Sequence, residues 1–483
     1  MKELEKVFEN LRYPLTETDR KLIEKAYLFA KKAHEKQKRY SGEEYVNHVV
    51  RSVENLAEFG VDVETLIAGF LHDTIEDCGV TKEQIIKEFS ENIAFLVAGV
   101  SKLGNIKYQG EKRYADNIRH LFIATAHDMR VILIKLADRL DNMRTLQYVP
   151  KDKQKRIALE TLEIYAPIAN RLGMGRVQQE LQDFAFKFSQ PLEYERVRVL
   201  IKERGKEREK YIKKIYQSLA KELVKQEMRD AKVSYRVKDS FGIYKKLLKT
   251  EMDIGKIYDV YALRVVVMKV EDCYKVLGIT HNMWKPLPGR FKDYIANPKI
   301  NGYQSLHTTV FTGDGGIAEI QIRTPEMHEE AEYGIASHLI YKEIGVTKKT
   351  GKVSERLDWL SRIRDLHKEH KTEKPEEFLT NLKIDFFDKR IFVFTPKGDV
   401  IELPEGATAL DFAYAVHSEI GGHASGVRIN GKFVSLDTPL SNRDIVEVET
   451  REGSRPTRKW LEYVKTNFAR KYIRAYLKSG RSN

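Results

Sequence analysis

The hydrophobic period changes partway along the chain, and that change limits the fold more than any other feature. Across residues 16–195 apolar side chains recur three and four apart. "TETD" can cap a helix, and Leu22, Ile23, Ala26, Tyr27, Ala30 and Ala33 follow at helical spacing. The pattern returns around residues 62–77, 81–100, 116–127, 129–146 and 152–170, so this part reads as all-α. Near residue 255 short runs rich in β-branched residues take over. "VYALRVVVM" (260–268), "YQSLHTTVF" (303–311) and "AEIQIRT" (318–324) have strand length and composition, with helical patterns before and between them, which predicts a mixed α/β domain.

Between these regions, residues 196–232 form a charge-laced helix, most simply a solvated connector, and residues 341–384 return to charged helix. From 385 to 450 the order is strand, "PKGD" turn, strand, the helix "ALDFAYAVHSEI", an Asn-Gly hairpin in "GVRINGKFVSL" and a last strand "DIVEVE", a β-grasp arrangement. The basic stretch after it places Trp460, Val464 and Phe468 four apart, as in a helix cut off from its packing partner. The expected organisation is therefore a helical domain over 1–195, an α/β domain with its leading helix over 196–340, a helical linker over 341–384, a small β-grasp domain over 385–451, and the start of a further helical region over 452–483, read as truncated.

Composition narrows the chemistry. Cys78 and Cys273 alone cannot make a disulfide framework or a cysteine-rich metal site, and they read as plain buried residues in a reducing compartment. No long uncharged apolar run occurs, which argues against a membrane span and for a cytoplasmic protein. A formal charge of +13 favours anionic partners, nucleotides or RNA phosphates.

"GFLHDTIED" (69–77) crowds His72, Asp73, Glu76 and Asp77 onto two helical turns, where like charges destabilise a helix unless a cation offsets them. A divalent metal would do so, and His48 in "YVNHVV" and Asp138 in "KLADRLDNMRTL" are candidate partners from other helices. A nitrogen and oxygen donor set suits Mn²⁺, Fe²⁺ or Zn²⁺. In the later domain no G-x-x-x-x-G-K-[ST] loop occurs, so phosphates would be held by cations: Arg236, Lys238, Arg264, Arg290 and Lys292 are abundant candidates. Period-two alternation puts Glu319, Gln321 and Arg323 on one strand face, simply solvated if the strand lies at an edge. Tyr303, Ser305 and His307 share one side of "YQSLHT", and Asp259 precedes another strand, where it could pair with Glu319 around magnesium.

His…His-Asp-x-x-Glu-Asp…Asp on successive helices resembles the HD phosphohydrolase family. The resemblance implies His48, His72, Asp73 and Asp138 as metal ligands, with Glu76 and Asp77 free to orient or deprotonate water. "AHEKQKRYSGEEYVNH", "GFLHDTIED" and "VILIKLADRLDNMRTL" together resemble the hydrolase half of the Rel/SpoT homologues, which make and destroy ppGpp and pppGpp. By that likeness Arg39, Ser41, Asn142 and Thr145 contact the nucleotide, Asn142 as part of the catalytic set, and the metal is Mn²⁺. Two positions depart from the usual pattern: Val49 stands where proline is common and Asp141 where histidine is usual, the latter adding negative charge near an anionic substrate.

"YRVKDSFGIYKK", "YDVYALRVVV", "LPGRFKDYIANPKINGYQSLHTTV" and "AEIQIRTPEMHEEAEYGIASH" resemble the synthetase domain of the same homologues, whose fold is nucleotidyltransferase-like. That likeness implies transfer of the β,γ-diphosphate of ATP to the 3′-hydroxyl of GDP or GTP. Asp259 would hold Mg²⁺, Glu319 would be metal partner and base, and Tyr303 would stack on guanine. Arg236, Lys238, Arg264, Arg290, Lys292, Asn301, Gln304 and His307 would bind nucleotide. Gly242 stands where serine is frequent. Residues 386–450 resemble a TGS domain, in which His417 would meet the CCA end of uncharged tRNA on the ribosome; the usual cysteine-containing version of "GHASGVRING" is absent. The implied whole is a bifunctional alarmone enzyme of the stringent response. The competing readings are a hydrolase-only member with a regulatory synthetase domain and an RNA- or ribosome-binding regulator.

Overall fold

A computed structural model describes residues 2–101, 111–254, 257, 260–299, 301–313, 316–337, 380 and 390–479. They divide into two bodies, one built mainly from residues before 338 and one carrying 390–479, each considered by itself. The 341–384 linker and Asp259 lie outside the described residues.

The chain opens with helices α1 (Lys2–Asn10), α2 (Glu17–Ala33), α3 (Tyr45–Phe59), α4 (Val63–Leu71), α5 (Thr74–Cys78), α6 (Lys82–Glu88), α7 (Glu91–Val100), α8 (Glu111–His127), α9 (Arg130–Arg144), α10 (Lys151–Glu160), α11 (Ala166–Arg171) and α12 (Gly175–Ser189), all in the first body except the part of α8 before His120. Caps written in the sequence start several of them: Thr16 and Asp19 form a capping box on α2, Asp62 accepts the Thr65 N–H at α4, and Ser90 caps α7. Leu56, Leu66, Phe70, Leu96, Leu133 and Leu136 are fully buried where α3, α4, α7 and α9 meet. A wide π turn over Thr161–Tyr165 joins α10 to α11 just before Pro167, whose missing N–H prevents an ordinary turn there.

The run read as one helix over 62–77 is two. α4 ends at Leu71, and the Asp73 backbone turns out of register (φ −101°, ψ −3°) before α5 begins. Side chains replace the lost helical bonds: His72 Nδ1 donates to the Gly69 carbonyl and Thr74 Oγ1 to that of Leu71, each at 2.7 Å.

Helix α13 (Pro191–Lys225) corrects a second expectation, that of a solvated connector. Its Ile212, Ile215, Leu219 and Leu223, spaced three and four apart, are buried beneath the following sheet. The charged side chains described on this helix are exposed or half-buried. The sheet also begins earlier than expected, at β1 (Lys232–Val237), followed by α14 (Ser240–Leu247), β2 (Tyr261–Val266), α15 (Val270–Met283), β3 (Lys285–Pro286), β4 (Lys292–Asp293), β5 (Leu306–Phe311), β6 (Ile317–Arg323) and α16 (Pro325–Tyr333). Described strands run β1-β2-β6-β5, with β3 and β4 both against β5; β2 and β6 are parallel and the other pairs antiparallel. β6 is therefore central, so its polar face is not an edge left to solvent. One sheet face, with Leu263, Val265, Leu306, Val310, Ile320 and Ile322, packs on α13 and α15. The other face carries the polar residues.

The second body comprises β7 (Arg390–Phe394), β8 (Val400–Pro404), α17 (Ala409–Val416), α18 (Ser418–Gly422), β9 (Ala424–Ile429), β10 (Lys432–Val434), β11 (Val446–Thr450), α19 (Trp460–Tyr463) and α20 (Asn467–Ser479). The β7–β8 hairpin touches the β10-β9-β11 sheet through a parallel bridge, Phe394 to Ile445, and α17 lies over both. Asn430 and Gly431 make the β9–β10 turn with positive φ at both positions (52° and 81°), as an Asn-Gly turn of this type requires. The basic segment is not cut off from a partner. Trp460, Val464 and Ile473 are buried against Leu410, Ala413 and Tyr414, and the chain breaks at Val464 rather than continuing as one helix. Asp411, itself buried, accepts the Lys465 and Thr466 N–H groups at 2.9 Å.

Both thiols are free; burial pushes Cys273 up to about 12 and the half-buried Cys78 up to about 11, so neither is a thiolate. No described helix is long and apolar enough to cross a membrane.

Candidate active sites

Helices α3 and α9 and the α4–α5 break bring four side chains to one buried point. His48 Nε2 lies 3.4 Å from Asp138 Oδ1 and 3.7 Å from Asp73 Oδ2; His72 Nε2 lies 3.0 Å from Asp73 Oδ2 and 3.9 Å from Asp138 Oδ1. One donor atom each from His48, His72 and Asp138 falls within 4.8 Å of the others. Because His72 Nδ1 donates to a carbonyl, neutral His72 has its lone pair on Nε2, which is buried without a hydrogen-bond partner and faces a carboxylate oxygen. Two lone pairs so placed need a cation between them. In its absence a proton serves: burial lowers the His48 imidazole, but Asp138, Asp141 and Asp73 hold it up at about 10, and His72 is likewise raised against burial by Asp73. Burial would raise the Asp138 carboxyl, yet Lys135 and the two histidines hold it well below the usual range. The set fits a divalent first-row cation.

Sequence reasoning missed the groups that brace this cluster and the Asp141 carboxylate beside it. Tyr45 donates its hydroxyl to Asp73 Oδ2 at 2.7 Å and to Asp77 Oδ2 at 3.1 Å; Lys135 Nζ donates to Asp138 Oδ2 at 2.8 Å; Arg51 Nε donates to Asp141 at 2.6 Å. Tyr45 and Arg51 each lie three residues from His48, and Lys135 lies three from Asp138. That spacing, one helical turn, was the available signal. Glu76 and Asp77 lie exposed on α5, and Asp77 reaches the site through Tyr45. Arg39 is held at the rim by Asp141 (2.8 Å) and by the Asn142 side-chain carbonyl. Thr145 Oγ1 donates to the Asp141 carbonyl at 3.0 Å, and Ser41 Oγ is buried.

The second site follows from strand register. Lys292 pairs with His307, His307 with Gln321, and Gln321 with Arg264, which sets four polar residues in a row across β4, β5, β6 and β2 on the face opposite the core. Two residues along β6, Glu319 lies 3.3 Å from His307 Nδ1 and accepts from Gln321 Nε2 at 2.9 Å. Burial lowers His307, and its Nε2 takes the Tyr303 hydroxyl at 2.7 Å. Lys299 sits over the rings of Tyr294 and Tyr303, 4.7 and 4.8 Å from their centroids. Burial, then Arg323, brings Arg264 down to about 10; both guanidiniums share Glu332 Oε1 at 3.2 Å. Arg323 is about 1% exposed, and its strand alternation had marked it without suggesting burial. An excess of buried positive charge over one carboxylate suits an anionic ligand.

Arg236 lies on β1 beside Ala262, Lys238 follows that strand, and Arg290 and Lys292 are exposed. Asn301 and Gln304 are engaged with backbone, Asn301 Nδ2 with the Asn170 carbonyl at 2.9 Å and Gln304 Nε2 with that of Ile295 at 3.1 Å. Of the expected magnesium pair, Glu319 alone is placed. Gly242, the departure in α14, donates its N–H to Asp239 at the helix cap. In the second body His417 is not mid-helix: its extended backbone ends α17, and its Nδ1 accepts the Glu419 N–H at 3.3 Å to cap α18.

Family models match along the chain: "HD domain" over residues 26–175, "Region found in RelA / SpoT proteins" over 235–345 and "TGS domain" over 391–450. The chain is 46% identical over 457 residues to the guanosine-3′,5′-bis(diphosphate) 3′-pyrophosphohydrolase of Aquifex aeolicus, covering 94% of this chain and 64% of the relative. It is 45% identical to the GTP pyrophosphokinase of Streptomyces coelicolor, covering 95% and 56%. To the bifunctional (p)ppGpp synthase/hydrolase SpoT of Escherichia coli K12 it is 42% identical, covering 96% and 66%. The chain thus spans between about half and two thirds of the length of these relatives.

Proposed function

Because the chain belongs to the RelA/SpoT family, we propose that it is a bifunctional enzyme that makes and destroys guanosine polyphosphates at two separate sites of its first body. The observation that carries this reading is the first site itself: two buried imidazole nitrogens face two carboxylates at 3.0 to 3.9 Å.

His48, His72, Asp73 and Asp138 hold a divalent cation, taken to be Mn²⁺, which when bound supplies activation of water and positive charge opposite the substrate's 3′-diphosphate. Arg39, Ser41, Asn142 and Thr145 contact ppGpp or pppGpp. Glu76 and Asp77 orient the water and accept its proton. The water oxygen bonds to the phosphorus of the 3′-diphosphate, the bond from that phosphorus to the 3′-oxygen breaks with its electrons going to that oxygen, which takes up a proton, and GDP or GTP leaves with diphosphate as second product.

At the second site Arg236, Lys238, Arg264, Arg290, Lys292 and His307 hold the phosphates of ATP and GDP or GTP. Tyr303 stacks on guanine, its hydroxyl fixed by His307, on a loop braced by Asn301 and Gln304. Glu319 takes the proton of the 3′-hydroxyl as that oxygen bonds to the β-phosphorus of ATP. The bond from this phosphorus to the α,β-bridging oxygen breaks and AMP leaves. Glu319 and Asp259 hold Mg²⁺, which supplies neutralisation of polyphosphate charge. Uncharged tRNA and the ribosome are assigned to the second body through His417, whose side chain is 61% exposed, and its basic segment. Nucleotide substrates of this kind place the work in the cytoplasm.

The test separates the two reactions. The purified chain is incubated with ATP, GDP and Mg²⁺, and separately with ppGpp and Mn²⁺, and nucleotides are resolved by chromatography. Asp73→Ala is expected to abolish hydrolysis and spare synthesis, Glu319→Ala the reverse; loss of both reactions from either change contradicts two sites.

A further inference from the structure

Asp141 stands at a position where the resembling family usually has histidine, and the structure gives it a specific place. It lies three residues after Asp138 on α9, and its side chain is fully buried. Its Oδ2 accepts the His48 Nδ1–H at 2.6 Å and Arg39 Nη1 at 2.8 Å; its Oδ1 accepts Arg51 Nε at 2.6 Å. Arg51 is clamped from its other side by Glu43, at 2.7 and 3.0 Å. A carboxylate can only accept, so the bond to His48 puts hydrogen on Nδ1 and leaves Nε2 to face Asp73 and Asp138. His72 is oriented by a neutral carbonyl, His48 by a charged carboxylate, so the two histidines are not equivalent donors.

We propose that Asp141 is a positioning residue for the first site, fixing the tautomer and ring plane of His48 so that Nε2 is the ligating atom, with Arg39 and Arg51 holding the carboxylate in place. This rests on the reading of the site as a metal centre. A hydrogen-bonded carboxylate behind an imidazole ligand also raises its basicity, and loss of such a partner typically weakens metal binding by about 10–100-fold.

The test is Mn²⁺ titration of chelator-treated full chain by calorimetry, on wild type, Asp141→Asn, Asp141→Ala and His48→Ala, with the visible ligand-field bands of the Co²⁺ form as a second readout. An asparagine side chain keeps an acceptor but carries no charge, so Asp141→Asn is expected to bind about tenfold more weakly, Asp141→Ala more weakly still, both with shifted Co²⁺ bands and unchanged synthesis from ATP and GDP. Should Asp141→Ala fail to fold, the near-isosteric Asp141→Asn decides alone. Mn²⁺ binding within twofold of wild type in Asp141→Asn, with binding lost in His48→Ala, overturns the positioning role and leaves the metal centre standing. Undiminished binding in His48→Ala removes the metal centre, and the role with it.

Discussion

His48 and His72 aim the same ring nitrogen at the same two carboxylates, so at each of them a proton would compete with the divalent cation proposed for the site. His48 is held up at about 10 against an ordinary value of 6.5. A group raised on folding stabilises the metal-free fold fully below about 6.5, and that stabilisation is lost as pH rises towards 10. Mn²⁺ affinity is therefore expected to strengthen between pH 6.5 and 9, with proton release seen as a dependence of calorimetric heat on buffer ionisation enthalpy; flat affinity across that range contradicts the proton competition. At the second site, Tyr303→Phe keeps the ring and removes the hydroxyl bonded to His307. Loss of about 1 kcal/mol should lower kcat/KM for GDP in synthesis about fivefold and leave hydrolysis unchanged. Both effects concern atoms whose identity was readable from the sequence. The side chains that brace the first site were not, because Tyr45, Lys135 and Arg51 gain meaning only once Asp73, Asp138 and Asp141 are known to face inward.

Among the elements, α13 shows how charge composition misleads. Its outer faces carry the charges that suggested a solvated connector, while Ile212, Ile215, Leu219 and Leu223 form one buried stripe. Leu219→Ala is expected to cost about 2–5 kcal/mol, measured by denaturant unfolding, whereas Leu192→Ala at a position 85% exposed should change stability by under ~0.5 kcal/mol. Equal effects would mean that the stripe does not support the sheet. Whether β6 lies at an edge was left open for a related reason: alternation gives the faces of a strand, but only pairing with β2 and β5 says whether it is central. Likewise the helix break at His72–Asp73 has no proline or glycine to announce it. It is stabilised by side-chain bonds to the Gly69 and Leu71 carbonyls, which helical periodicity cannot show.

Across the first body as a whole, the helical part and the sheet part meet along a close seam. The Ile335 N–H donates to the Leu172 carbonyl at 2.9 Å, Arg176 Nη1 to the Tyr333 hydroxyl at 3.0 Å, and the Arg12 guanidinium lies 3.7 Å over the Tyr333 ring. Gly334 has φ +58° and ψ −132°, and a Cβ there would come 2.1 Å from the Leu172 carbonyl oxygen. Gly334→Ala should therefore lower stability by more than ~2 kcal/mol in denaturant unfolding; a neutral effect would show that the seam yields easily. Asp183, accepting the Phe241 N–H at 3.2 Å across the same seam, is pushed up to about 6 by burial. The fold binds its proton more tightly than the unfolded chain, so stability falls as pH rises from about 4 to 6 and the deficit persists at neutrality. Asp183→Asn should raise unfolding stability at pH 7.5 by up to about 3 kcal/mol and do nothing near pH 4.

By itself the sequence determined the order of helical, mixed and grasp-like parts and the residue types of both sites, because periodicity, caps and donor chemistry are local properties of adjacent residues. The tertiary structure alone decided that His48, His72, Asp73 and Asp138 share one buried point, that Asp141 backs His48, and that Lys292, His307, Gln321 and Arg264 line one row of the sheet. Those facts depend on strand register and helix packing between segments far apart in the chain, and burial, which sets the charge of each group, exists only once those segments have closed on one another.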